Sequence, residues 1–294
     1  MKVAAVETLS TGHGLLEGPV WDSDLGLIVA DAAVGGVWKI SGAHAPEVVV
    51  PHRRGIGGVA LHENGAIVIG GRNLALKWPE GSGRDQTVVL MENDPAQGIV
   101  GFNDFTTDQA GRIYVGSLAF VAMDSNREGK SGKLHLIDLD GSVRVVADDI
   151  LLTNGLGFSP DGKTLYHSDS LRRAVFCYDV KANGDLGPKR QFVALEAGMP
   201  DGLSVDSGGN LWVAAPYDGA VQIYSPDAEL IGEVKVPVPM VTSLCFGGND
   251  LRDVFIVSGS EKLETDRGAG VYRTRTEVPG LALPRARVNV SVSA

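Results

Sequence analysis

One phrase is written six times along this chain of 294 residues. Its copies open with Glu17-Gly18-Pro19-Val20, Gly57-Gly58-Val59-Ala60, Asn103-Asp104-Phe105-Thr106, Asn154-Gly155-Leu156-Gly157, Asp201-Gly202-Leu203-Ser204 and Thr242-Ser243-Leu244-Cys245. Each copy then turns and returns through a β-rich run, at 26–31, 65–70, 111–116, 164–169, 210–215 and 253–258. The six starts are 40, 46, 51, 47 and 41 residues apart. A period of about 40–50 residues built from short strands is the signature of propeller blades. Six copies predict an all-β, six-bladed β-propeller with four antiparallel strands per blade, forming a single domain over 1–294. In such a ring equivalent positions converge on a central channel.

The rest of the chain agrees with that reading. Strand patterns recur at 37–40, 48–50, 87–90, 134–137, 143–146, 175–178 and 221–224, whereas helical periodicity is nearly absent. Turns carry the expected residues: Asn64-Gly65, Asp140-Gly141, Asp161-Gly162 and Asn183-Gly184, which adopt tight bends at little steric cost. The segment from Leu118 to Gly132 is the least regular and sits where it could cover one mouth of the channel as a lid, or hang free as a surface loop. The stretch after Pro284, Arg287-Val288-Asn289-Val290, reads as a closing strand that pairs with Val3–Glu7, because closure between chain ends removes two sheet edges.

Charge narrows the partners. The net charge is −10 and basic residues occur at most in pairs such as Arg53-Arg54, which disfavours nucleic acid and anionic membrane surfaces. No apolar run reaches a membrane span, and the N-terminus lacks the pattern of a signal peptide. Two cysteines, Cys177 and Cys245, lie in β-like runs and read as buried free thiols, consistent with a cytoplasmic location. A propeller closes its own edges, so a monomer is the default expectation, with a dimer through an outer blade as the alternative.

The opening positions carry the chemistry. Gly57 and Thr242 are what a crowded axis asks of the fold alone; Glu17, Asn103, Asn154 and Asp201 are not. Any one of the four would serve as a turn-former. Together they put two carboxylates and two amides face to face, which costs several kcal/mol in lost hydration and repulsion unless a cation neutralises them. The all-oxygen donor set suits Ca²⁺ first, then Mg²⁺ or Mn²⁺. Zn²⁺ is compatible, although no histidine opens a repeat. Asp31 and Asp169 close the second strands of their blades as hydrogen-bond acceptors for nearby loops. His167 reads as a hydrogen-bonded core residue, and His13, His44, His52 and His62 as exposed loop residues. No nucleophile elbow, phosphate loop or dinucleotide fingerprint is present.

These motifs, together with Phe102-Asn103-Asp104, Thr153-Asn154-Gly155-Leu156 and Pro200-Asp201-Gly202-Leu203, resemble the gluconolactonase, senescence-marker-protein and luciferin-regenerating-enzyme family of regucalcin-like propellers, from about Leu16 to Pro284. The resemblance implies a divalent metal in the channel held by Glu17, Asn154 and Asp201. It also implies that Asn103 touches the metal-bound water or the substrate, and that Asp201 doubles as general base. Two departures bear on substrate. Sugar lactonases of this kind carry an arginine where this chain has Gly101, and an acidic residue near Phe120 and Val121. Their loss predicts a less polar pocket, with Phe102, Phe105, Phe120, Met123 and Met199 as candidates either for its walls or for the core, and a weakly hydroxylated cyclic ester as substrate. The same site could instead cleave a cyclic diketone C–C bond or an organophosphate ester, or bind calcium without catalysis.

Overall fold

A computed structural model describes residues 2–42, 44–121, 130–196, 198–260 and 267–290. The chain enters through β1 (Glu7–His13) and then builds its first blade from β2 (Leu16–Asp22), β3 (Gly26–Asp31), β4 (Val37–Ile40) and β5 (Glu47–Val50). The second blade is β6 (Val59–Leu61), β7 (Ile67–Ile69), β8 (Leu74–Lys77) and β9 (Thr87–Met91). The third is β10 (Gly101–Thr107), β11 (Ile113–Leu118), β12 (Gly132–Ile137) and β13 (Val143–Ile150). The fourth is β14 (Thr153–Phe158), β15 (Thr164–Asp169), β16 (Ala174–Asp179) and β17 (Arg190–Ala194), and the fifth is β18 (Leu203–Val205), β19 (Leu211–Ala215), β20 (Ala220–Tyr224) and β21 (Leu230–Lys235). The sixth joins β22 (Val241–Gly247), β23 (Asp253–Ser258) and β24 (Ala269–Arg275) to β1 as its outer strand. All pairings within the blades are antiparallel. The inner strands β2, β6, β10, β14, β18 and β22 touch their neighbours in sequence around the axis, with β22 packing on β2. The fold is a six-bladed β-propeller.

The burial pattern shows why these sequences stack. Middle strands such as β7 and β19 are buried along their whole length, because both faces of a blade are covered. Outer strands such as β13 expose alternate residues, as expected for a sheet with one wet face. Six apolar clusters fill the six junctions between adjacent blades. Trp212, fully buried between the fifth and sixth blades, illustrates the energetics: cutting a core tryptophan to alanine costs about 3–5 kcal/mol.

Ring closure differs in one respect from the expectation. The N-terminal segment does close the ring, but its partner is β24, in the register Glu7↔Arg273 and Thr8↔Tyr272, with Val3 bridging Thr276. The tail after Pro284 goes elsewhere. Ala286 bridges His62 in parallel, the Arg287 N–H donates to Gly111 O (2.9 Å), and the Asn289 N–H donates to Leu139 O (2.7 Å). Ala286 and Val288 complete the apolar junction of the second and third blades, which is a better place for them than an outer edge already taken by β1. His62 is consequently buried, with Nε2 3.0 Å from Val288 O. His13 is also buried, bonded to Ser10 Oγ, so two histidines expected in solvent are not there; His44 and His52 are exposed. Most of the segment expected as a lid, 122–129, lies outside the described residues.

Candidate functional site

Glu17, Asn103, Asn154 and Thr242 sit near the starts of inner strands, and Gly57 and Asp201 two residues ahead of theirs. Glycine and threonine at this level are more than fillers. A Cβ on Gly57 would lie 2.0 Å from Asn103 Oδ1, so the glycine makes room for its neighbour's amide. Thr242 Oγ1 donates to Leu16 O at 2.6 Å, tying the sixth blade to the strand that carries Glu17.

Between the third and fifth blades the side chains hold one another. Asn103 Nδ2 donates to Thr153 O (2.8 Å) and to Asn154 Oδ1 (2.6 Å). Asn154 Nδ2 donates to Ser170 Oγ (2.7 Å), and Ser170 Oγ donates to Pro200 O (2.6 Å), beside Asp201. Ser170 begins a 3-10 turn, Ser170–Arg172, pinned by its own N–H on Leu152 O (3.0 Å) and by the Asp169–Arg172 ion pair (2.7 Å).

Asp169 and Asp31 are the loop caps the sequence suggested. The Asp169 carboxylate accepts from the N–H groups of Leu151 and Leu152 (2.9 and 3.0 Å), just before β14. That of Asp31 accepts from Gly14 and Leu15 (2.9 and 3.2 Å), just before β2. His167 is a core histidine bonded to Thr153 Oγ1 (2.8 Å), and burial lowers its pKa to about 4.

The axis is acidic, and no lysine or arginine of the described residues is among the charges that act on Glu17 and Asp201. Burial first, then the Asp201 and Asp104 charges, pushes Glu17 well above the ordinary carboxylate range. Burial and Asp104 do the same to Asp201. Asp201 Oδ1 is buried without a hydrogen-bond partner, an arrangement that is costly unless something binds there. Asp104 is the residue that sequence reasoning missed. It is 7% exposed, accepts no hydrogen bond from the described residues, and burial lifts its pKa to about 7. Its signal was present in the repeat: the second position is glycine or serine in the other five copies and aspartate only here.

A divalent cation fits this donor set. Asp201 Oδ1 is buried and unbonded, the Glu17 and Asp201 charges act on each other, and the Asn154 amide presents its oxygen toward Asn103. No group of three or more His, Cys, Asp or Glu that could hold a metal ion converges among the described residues, so a cation bound here would also draw on an amide oxygen such as that of Asn154.

Below the site, a cavity of about 1140 Å³ opens toward the other end of the channel. Gly18, Gly58, Asp104, Gly155, Gly202 and Ser243, the six residues that follow the axial positions, all line it, together with Leu281–Pro284 of the tail. The four axial polar residues do not line it, so it abuts the site and does not contain it.

The expected specificity positions are mixed. Gly101 is buried at the start of β10, where a Cβ would come within 3.0 Å of Gly71 O. Phe120 is buried, whereas Val121 is 60% exposed. Phe102 and Phe105 belong to the apolar junction of the second and third blades; Phe105 also lines the lower cavity. Both therefore pack in the core, the alternative the sequence also allowed for them. Met199 is half-buried, and Met123 lies outside the described residues.

Fold and site together define a propeller with an oxygen-lined polar centre. The sequence pattern of the SMP-30/Gluconolactonase/LRE-like region matches residues 15–260, and the chain belongs to that family. It is 33% identical over 266 residues to regucalcin of Gallus gallus, covering 87% of each chain. It is 34% identical over 204 residues to the 6-deoxy-6-sulfogluconolactonase of Pseudomonas putida, covering 66% of this chain and 68% of that one. Among solved structures it superposes on a luciferin-regenerating enzyme with a TM-score of 0.85, at 24% identity, over 97% of this chain and all of the other.

Proposed function

We propose that this chain is a metal-dependent lactonase that opens a cyclic ester bearing few hydroxyl groups. The observation that carries the reading is the Asp201 carboxylate, one oxygen buried and unbonded, held beside Glu17 and Asn154 with no lysine or arginine among the charges that act on it. The family's lactonase members, such as the sulfogluconolactonase relative, support a hydrolase.

A divalent cation held by Glu17, Asn154 and Asp201, Ca²⁺ before Mg²⁺, Mn²⁺ or Zn²⁺, would supply Lewis acidity toward the lactone carbonyl oxygen. Asn103, fixed through its NH₂ group, leaves its Oδ1 free to orient water or substrate. Asp201 accepts the proton of the attacking water as that water's oxygen bonds to the carbonyl carbon. The proton then passes to the ring oxygen as the acyl–oxygen bond breaks, giving the open hydroxy acid. Gly101 contributes no side chain and Phe120 no polar group, which supports a ring with few hydroxyls. The free thiols Cys177 and Cys245, in different blades, support a reducing, cytoplasmic setting, and no described helix is long and apolar enough to cross a membrane. A monomer acting on a small molecule completes the reading.

The test is hydrolysis of a panel of sugar lactones and apolar γ- and δ-lactones by EDTA-stripped protein, with each of the four ions restored in turn. Metal-dependent turnover favouring the apolar rings is expected. Turnover of sugar lactones alone overturns the substrate assignment, and tight metal binding without any lactone turnover overturns the reaction.

A further inference from the structure

Two backbone carbonyls dictate which way the central amides point. A carbonyl can only accept. Ser170 has one hydroxyl hydrogen, and it is committed to Pro200 O at 2.6 Å. Toward Asn154, 2.7 Å away, the same hydroxyl can therefore only accept, and the group that Asn154 turns to it must be its NH₂. The Asn154 oxygen is left on the opposite side, toward Asn103 and the axis. The Asn103 amide obeys the same logic, since its NH₂ faces Thr153 O at 2.8 Å. Ser170 is fully buried, and its backbone is held by Leu152 O, so its hydroxyl is fixed in place between Asn154 and Pro200 O.

We propose that Ser170 is a positioning residue that sets the polarity of the Asn154 amide and thereby makes position 154 an oxygen donor at the axis. Without the hydroxyl, only the Asn103 NH₂, 2.6 Å from the Asn154 oxygen, still distinguishes the two ends of that amide. An NH₂ turned inward would repel a cation at the place where an oxygen should bind it. The hydroxyl also links Asn154 to Pro200, so one hydrogen atom sets the geometry of two neighbouring blades. The proposal rests on the metal-site reading above, and its tests separate the two.

Calcium affinity is measured by titration calorimetry on the EDTA-stripped full chain, for wild type, Ser170→Ala, Asn154→Asp and the double variant. Loss of a partner that orients a ligand lowers metal affinity by about 10–100-fold, and this is the loss expected for Ser170→Ala. In the Asn154→Asp background both side-chain ends are oxygen, so removal of Ser170 is expected to change affinity far less than the loss of at least about 10-fold expected in the wild-type background. If the same large loss recurs there, Ser170 acts as a structural brace and the proposal is overturned; unchanged affinity in Ser170→Ala alone overturns it equally. Failure of the wild type to bind calcium would instead remove the metal-site reading.

A second readout needs no metal. The Asn154 side-chain NH₂ signals, assigned by their disappearance in Asn154→Asp, should be sharp and shifted by hydrogen bonding in the metal-free wild type. In Ser170→Ala they should shift and broaden, as expected of an amide that has lost the acceptor of one of its N–H groups. Signals unmoved by the substitution would overturn the proposal even where calcium binding cannot be measured.

Discussion

The two halves of the ring reach the axis by different means. From the third to the fifth blade, polar side chains hold one another: Asn103 on Asn154, Asn154 on Ser170, Ser170 on the carbonyl before Asp201. From the sixth blade through the second, Glu17 is the charged group that opens a repeat. Its carboxylate takes no hydrogen bond from the described residues, Thr242 holds the backbone beside it, and Gly57 contributes empty space. One half is an oriented cradle. The other is a single charge on a tied strand, free to adjust to whatever enters. Asymmetry of this kind suits a site in which some donors are held in fixed orientation while another adjusts to what binds.

That contrast can be broken in several ways. The largest effect is expected in the cradle, where Asp201→Asn removes the base and one carboxylate together. Lactone turnover should fall by about 10²–10⁴-fold, and turnover at the wild-type rate would mean the base lies elsewhere. Next comes Gly57→Ala, which places a methyl group 2.0 Å from Asn103 Oδ1. The amide must move, and turnover should drop by about tenfold or more, as small misplacements in an active site do. A variant with normal kinetics would show that Asn103 is not held as argued.

A smaller effect, and one with a definite pH signature, is expected from Asp104→Asn. An acid whose folded pKa of about 7 lies above its ordinary 3.8 keeps its proton in the folded chain between those values. Its contribution to stability is complete below about pH 4 and is lost as the pH rises through about 7. In metal-free protein, Asp104→Asn should therefore melt higher than wild type at pH 8, and that gain should fade as the pH falls toward 4. Thermal melts of both proteins across this range decide it; a difference that does not vary with pH would show that Asp104 is paired. The smallest effect belongs to the adjustable half. Thr242→Val removes one hydrogen bond to Leu16 O, worth about 1 kcal/mol, and should lower the melting temperature slightly while leaving turnover within a fewfold of wild type. A loss as deep as that of Gly57→Ala would mean that Glu17 also needs rigid support.

Much of this architecture is legible in the amino-acid sequence. The 40–51-residue spacing sets the blade count, and the register of the repeats identifies Glu17, Asn103, Asn154 and Asp201 as axial, because equivalent positions in a closed ring must meet. Asp31 and Asp169 are recognisable as loop caps from their place at strand ends. What cannot be read there is any contact whose partner depends on how neighbouring blades pack. Ser170 lies 30 residues from the carbonyl it bonds, inside a turn with no motif of its own. The tail carries a good strand pattern, yet where it runs depends on which edges are already occupied, and β1 has taken the one it would otherwise fit.

The sequence by itself determined the period, the strands and the identity of the groups sent to the axis, because these follow from local alternation and from repetition. The tertiary structure alone decided which end of each amide faces inward, which acids share an unscreened space, and where the tail lies. Those outcomes hang on donors, acceptors and charges supplied by other blades, and the geometry that brings them within 3 Å exists only once the ring is closed.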